Sequence, residues 1–243
     1  MAILKDGENQ GEKLISFLMV GQSNMAGRGD FGEVEPIENE YCHMLRMGRW
    51  QKMREPVNTD RYIFGDSYHS GIGPAPEFAR CYAEHFHRHV GLIPCADGGT
   101  HINQWQPGEL LYDHAVMQTK LALRTSTLGG ILWHQGESDS PNFNKPLYRE
   151  QFLRFVEHLR RDLHAEELPF IAGEITHTVA PNWCSQEEYD CMNALLHELE
   201  AEIPHFTVVS SEGLSMKPDG IHFDSASCRV FGRRYFDAYL KMR

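Results

Sequence analysis

Four short polar segments carry the residue types that acyl transfer to a serine requires: Gly21-Gln-Ser-Asn24, Gly98-Gly-Thr100, His134-Gln-Gly-Glu137 and Asp219-Gly-Ile-His222. That chemistry needs a hydroxyl, a base within hydrogen-bond reach, an acceptor that orients the base, and donors aimed at the developing oxyanion. Ser23 offers the hydroxyl, although a serine there could equally do no more than cap a helix. Asp219 and His222 are three residues apart in a Pro- and Gly-containing stretch. A tight turn would let the Asp219 carboxylate hold Nδ1–H of His222 and leave Nε2 to take the Ser23 proton. The alternative is a turn aspartate and an unrelated loop histidine. Gly98 and Gly99 could give a backbone N–H close access to a substrate oxygen, or simply form a turn. Gln135 could donate its side-chain amide, or be buried satisfying local backbone.

What these segments share is position: each follows an apolar run that reads as a strand. Residues 14–20 are short and almost uninterruptedly apolar, as in a strand buried on both faces of a parallel sheet. Further strands are expected at about 41–47, 90–96, 129–135, 168–175 and 206–210. Helical stripes run over about 74–89, 109–124, 185–202 and 225–240, and most clearly through Tyr148, Phe152, Phe155, Val156, Leu159 and Leu163, with Asn144 and Pro146 marking that start. Residues 48–49 read as a polar turn, and 24–40 and 55–76 as loops with at most a short helix in the first. Strands alternating with amphipathic helices predict an α/β sandwich around a mostly parallel sheet. All the strand ends then lie on one edge, and the four segments converge on one crevice.

At 243 residues, with no repeat, linker or low-complexity stretch, the chain is expected to form one domain over 1–243. A net charge of -11 with no run of Lys or Arg argues against nucleic acid or an anionic membrane as partner. The first residues contain no apolar signal segment, and the six cysteines are widely spaced without a C-x-x-C pair. Both point to reduced thiols in a cytoplasmic protein. The fourteen histidines show no metal-ligand spacing, and His85, His87 and His89 read as solvated surface, with a metal site as the minor alternative, so no metal or other cofactor is expected.

GQSNMAGRG at 21–29, GGTHINQW at 98–105, WHQGESD at 133–139 and DGIHF at 219–223 together resemble the motif set of the SGNH hydrolase superfamily. They resemble in particular its carbohydrate-esterase branch, the acetylxylan esterases and sialate O-acetylesterase-like proteins. All four blocks occur in the family's order and span nearly the whole chain. The resemblance implies a flavodoxin-like three-layer α/β/α sandwich and metal-free hydrolysis of an ester on a small acetylated carbohydrate. It implies Ser23 as nucleophile, His222 as general base and Asp219 as its partner. It also implies an oxyanion hole of the Ser23 N–H, a backbone N–H at Gly99 or Gly98, and the Gln135 amide. G-Q-S-N in place of G-D-S, and glutamine in place of asparagine at 135, are departures that the carbohydrate-esterase branch itself shows. Glu137 is expected to organise the loop around Gln22 and Asn24, with partnership to His222 as the alternative. Trp105, with Tyr62, Phe64 and Tyr68, could form a sugar-stacking wall or pack as ordinary loop aromatics. A longer-chain acyl hydrolase of the lipase or thioesterase kind, and a carbohydrate-binding protein without chemistry, are the competing readings. The polar loops speak against the first, and the complete Ser, His and Asp set against the second.

Overall fold

Strand β1, Leu14–Gly21, is the axis of the molecule; the computed structural model describes residues 14–58, 69–178, 180 and 183–243. Its residues 17–20 are buried and its side chains alternate between two cores, as a strand's period of two demands. Phe17 and Met19 point into one core with Phe78 and Tyr82 of α2 (Pro74–Phe86) and Phe231 and Tyr235 of α6 (Ser225–Lys241). Leu18 and Val20 point into the other, with residues of α3 (Leu110–Ala122), α4 (Lys145–Leu163) and α5 (Gln186–Glu200). An uninterrupted apolar run is the signature of a strand covered on both faces.

The sheet has seven strands in the order β3-β2-β4-β1-β5-β6-β7. Strands β2 (Cys42–Arg46), β4 (Val90–Pro94), β1, β5 (Ser126–His134), β6 (Phe170–Gly173) and β7 (Phe206–Val209) run parallel. With helices on both faces this is the expected three-layer α/β/α sandwich. The helix starts follow their sequence signals. Asn144 accepts from Leu147 N–H at the start of α4, Ser185 and Glu188 form a reciprocal capping box on α5, and Asp224 accepts from Ser227 N–H on α6.

One strand differs from expectation. Arg49, read as the end of a turn, and residues 50–52, given no element, form β3 (Arg49–Lys52), which pairs antiparallel with β2. Met47 and Gly48, both with positive φ (51° and 71°), make the two-residue turn of this hairpin. The strand is a largely exposed edge with no apolar run, so it carries none of the signal that marks the others.

The chain passes from one side of β1 to the other between β4 and β5, which opens a crevice at the carboxyl end of β1. Gly21 closes the strand at φ 117°, and the next residue, Gln22, donates its N–H to the His134 carbonyl at 2.7 Å. A Cβ on Gly21 would overlap that same carbonyl. Strands β1 and β5 therefore stay in contact up to the residue before Ser23. Gly21→Ala is expected to cost at least about 2 kcal/mol, from the disfavoured φ together with the overlap. Urea unfolding checks this, and a midpoint unchanged from wild type would contradict it.

Candidate active site

Ser23 is the first residue of the single-turn helix α1 (Ser23–Ala26) and is buried. His222 Nε2 lies 2.9 Å from its Oγ, and His222 Nδ1 lies 2.8 Å from Asp219 Oδ2. The other Asp219 oxygen accepts the backbone N–H groups of Ile221 and His222, each at 2.9 Å. Burial alone would raise the Asp219 pKa, but the His222 N–H, the His222 ring and the Ile221 N–H outweigh it and hold the carboxyl below its ordinary value. Asp219 is thus a fixed anion that orients the ring. The loop bearing this pair is a small hairpin in its own right. Lys217 N–H donates to the His222 carbonyl at 2.7 Å, Met216 bridges Phe223, and Asp224 N–H donates to Ser215 at 3.2 Å. Lys217 Nζ ties its tip to the Arg28 carbonyl at 2.8 Å and to Asp30 at 2.7 Å.

Asn24 holds this hairpin against the nucleophile. Its Nδ2 donates to the Ile221 carbonyl at 3.1 Å and its Oδ1 accepts Phe223 N–H at 3.1 Å, so it grips the backbone on both sides of His222. The second Nδ2 hydrogen goes to Glu137 Oε1 at 2.5 Å, and the same oxygen lies 3.0 Å from His134 Nε2. Glu137 is fully buried. Burial would raise its pKa, yet the adjacent His134 ring and the Asn24 amide reverse the effect, so it is held below the usual carboxylate value. Glu137 has the organising place, and Asp219 is the carboxylate on His222. Gln22 Oε1 accepts Gly136 N–H at 3.4 Å and Ser138 N–H at 3.3 Å, which fixes the loop after β5 beside the serine.

The oxyanion side departs from expectation. Among the described residues the Ser23 backbone N–H donates to no protein acceptor, which leaves it available. Gly98 is the glycine packed on the nucleophile: a Cβ there would stand 3.5 Å from Ser23 Cβ and overlap Arg28 Nη2. Gly99 is exposed, at φ 71°, with open space where its Cβ would be, and it supplies the turn. Gln135 is corrected outright. It is fully buried, and its Nε2 donates to the Thr100 carbonyl at 3.1 Å and to Asp139 Oδ2 at 2.5 Å, while its Oε1 accepts Tyr148 O–H at 2.9 Å. Both amide hydrogens are engaged, so none points at a substrate oxygen; the side chain is a strut between the loops after β4 and β5 and helix α4.

Trp105 is corrected as well. It is fully buried, donates Nε1–H to Thr100 Oγ1 at 3.1 Å, and packs edge-on against Trp133 with ring centroids 5.5 Å apart. It is core, not a sugar platform. Tyr62, Phe64 and Tyr68 lie outside the described residues. Arg28 went unread in the sequence, although it stands in the same block as Ser23: its half-buried guanidinium lies against Gly98, beside the nucleophile, with Nη1 on the Gly27 carbonyl at 2.7 Å. A lone cation within an otherwise uncharged motif was the available signal. Among the described residues no cluster of His, Cys, Asp and Glu could hold a metal ion.

Comparison with known proteins follows the same outline. The profile of the family described as carbohydrate esterase, sialic acid-specific acetylesterase matches residues 13–241. A probable carbohydrate esterase of Arabidopsis thaliana is 29% identical over 92% of this chain and 89% of its own. The X-ray structure of that Arabidopsis protein superposes with a TM-score of 0.80 at 27% identity, covering 94% of this chain and 98% of that one. NanS superposes with a TM-score of 0.73 at 17% identity over 96% and 98% of the two chains, a likeness of fold. A carbohydrate acetylesterase of Xanthomonas citri does so at 0.65 and 18%, over 92% of this chain and 55% of that one, again a likeness of fold.

Two substitutions separate the strut from the grip. Gln135→Leu strands the Thr100 carbonyl and the Tyr148 hydroxyl, and is expected to cost about 2 kcal/mol or more in urea unfolding. Unchanged stability with a hundredfold loss of turnover on an acetyl ester would instead return the amide to the oxyanion site. Asn24→Ala releases the backbone around His222, and is expected to lower kcat about tenfold or more with KM nearly unchanged. A rise in KM alone would assign Asn24 to substrate binding.

Proposed function

The chain belongs to the carbohydrate esterase family described as sialic acid-specific acetylesterase, and on that premise we propose that it removes O-acetyl groups from a short acetylated oligosaccharide through an acyl-serine intermediate. The observation that carries the reading is the hydrogen-bonded line Ser23–His222–Asp219. Ser23 Oγ attacks the acetyl carbonyl as His222 Nε2 takes its proton, and the negative charge moves to the carbonyl oxygen. That oxygen is met by the Ser23 N–H and by the backbone of the Gly98–Gly99 turn. The tetrahedral intermediate collapses, the C–O bond to the sugar breaks, and His222 returns the proton to the departing hydroxyl. Water then repeats the sequence: His222 deprotonates it, it attacks the acyl carbon, and acetate leaves as Ser23 recovers its proton. Asp219 stays ionised throughout and stabilises the imidazolium formed in each half. The reaction draws on no metal or cofactor. Six free thiols fit a cytosolic setting, in which short soluble oligosaccharides are the apt substrates.

A second substrate reading, an O-acetylated sialic acid, draws on Arg28. A guanidinium beside the nucleophile places positive charge close to the ester, which favours a substrate that carries a carboxylate.

Acetate release from 4-nitrophenyl acetate, acetylated xylo-oligosaccharides and O-acetylated sialic acid tests both. Ser23→Ala is expected to lower turnover on each accepted substrate by about 10⁴-fold or more. Residual activity near wild type would remove Ser23 from the mechanism. Arg28→Gln should spare the neutral oligosaccharide if that is the substrate, and should raise KM selectively for the sialic acid if the second reading holds.

A further inference from the structure

The loops after β4 and β5 and the start of α4 line a hollow of about 160 Å³ whose lining includes none of Ser23, His222 and Asp219. One wall is His101 and Ile102, from the segment whose Gly98 packs on Ser23. Its floor includes Ser138, whose N–H is held by Gln22, the residue before the nucleophile. The far wall is Phe143, Leu147 and Gln151, at the start of α4. The hollow is thus built on the same two loops, after β4 and β5, that carry Gly98 and Gln135 at the candidate active site.

Its chemistry is divided in the way a sugar ring's is. Phe143 is half-buried and Leu147 is 47% exposed, which gives an apolar surface for the C–H face of a ring. Around it stand polar groups that the protein leaves unused. Among the described residues, the side-chain amides of Asn142 and Gln151, the hydroxyl of Ser138 and Nε2 of His101 make no hydrogen bond to another protein group. Planar amides pair well with adjacent hydroxyls, which both donate and accept. Asp139, the one carboxylate in the lining, already accepts from Ile102 N–H, His101 and Gln135, and no Lys or Arg is present to balance an acidic sugar. The volume suits a single ring.

We propose that this hollow is a subsite for one neutral pyranose, the ring glycosidically linked to the acetylated residue, so that the enzyme reads a disaccharide unit. The inference rests on the neutral-oligosaccharide reading of the function.

The test is a length series: acetylated methyl xyloside, xylobiose and xylotriose, with 4-nitrophenyl acetate as a substrate that does not reach the hollow. Wild-type kcat/KM is expected to rise about tenfold from one ring to two and to change little from two to three. Phe143→Ala and Gln151→Ala should each remove most of that rise through KM and leave 4-nitrophenyl acetate within about twofold. The half-buried Gln151 amide makes no hydrogen bond to another described residue, so its removal keeps the test open should Phe143→Ala fold poorly. A wild type indifferent to length, or a rise that survives both substitutions, overturns the subsite. Calorimetric titration with unesterified xylobiose separates this from the esterase reading. Binding to wild type and Ser23→Ala alike, weakened about fivefold or more by Phe143→Ala, supports the subsite even if no acetate is released. Efficient release from all three esters without xylobiose binding keeps the esterase and discards the subsite.

Discussion

The Asn24 side chain, one residue past the nucleophile, spends its hydrogen-bonding capacity on three groups in two distant stretches of chain. It holds the peptide groups before and after His222, and it anchors on the buried carboxylate of Glu137. Serine and histidine are 199 residues apart in the chain, and their 2.9 Å contact depends on this one amide being unable to turn. An amide with each polar atom paired in a dry site has a single low-energy orientation. Glu137 and His134 supply that fixity from beneath, and Gln22 and Gln135 repeat the device for the neighbouring loops. The uncharged amides in the motif blocks act mainly as joints between loops.

The parallel sheet is what makes such joints possible. Strands β4, β1, β5 and, one strand further on, β7 end on one edge, so their four loops emerge on the same side of the sheet and meet there. Antiparallel strands would send alternate loops to opposite edges. The crossing of the chain around β1 leaves room between the loops after β4 and β5; Gly21 lets β1 and β5 stay paired up to its edge, and Gly98 has no Cβ to meet Arg28 and Ser23.

The parts legible in the sequence are those written in local pattern. The run at 14–20, the stripe through α4 and its start at Asn144 each reflect neighbouring residues acting on one another, and each element formed where expected. Strand β3 was missed because an exposed edge has no apolar face to declare it. In the site, Asp219 and His222 could be paired from a spacing of three, a distance that one turn spans. Gln135 and Trp105 could not be placed by such means. Whether a side chain meets substrate or protein is decided by contacts such as those of Gln135 with Thr100 and Tyr148 and of Trp105 with Trp133, residues that the tertiary fold brings around them. Arg28 shows the converse: its nearness to Ser23 comes from the close approach of a glycine in a different loop.

The hairpin that carries Asp219 and His222 closes on itself through Lys217, Met216, Phe223 and the Ser215–Asp224 contact. Base and orienting acid therefore travel as one cassette, and no motion of the hairpin as a rigid unit can pull one from the other. Residues can be gained or lost between β7 and Ser215 without changing how the carboxylate sees the imidazole. Across descendants of such a chain, divergence in length would collect upstream of this cassette, while its interior spacing stayed constant.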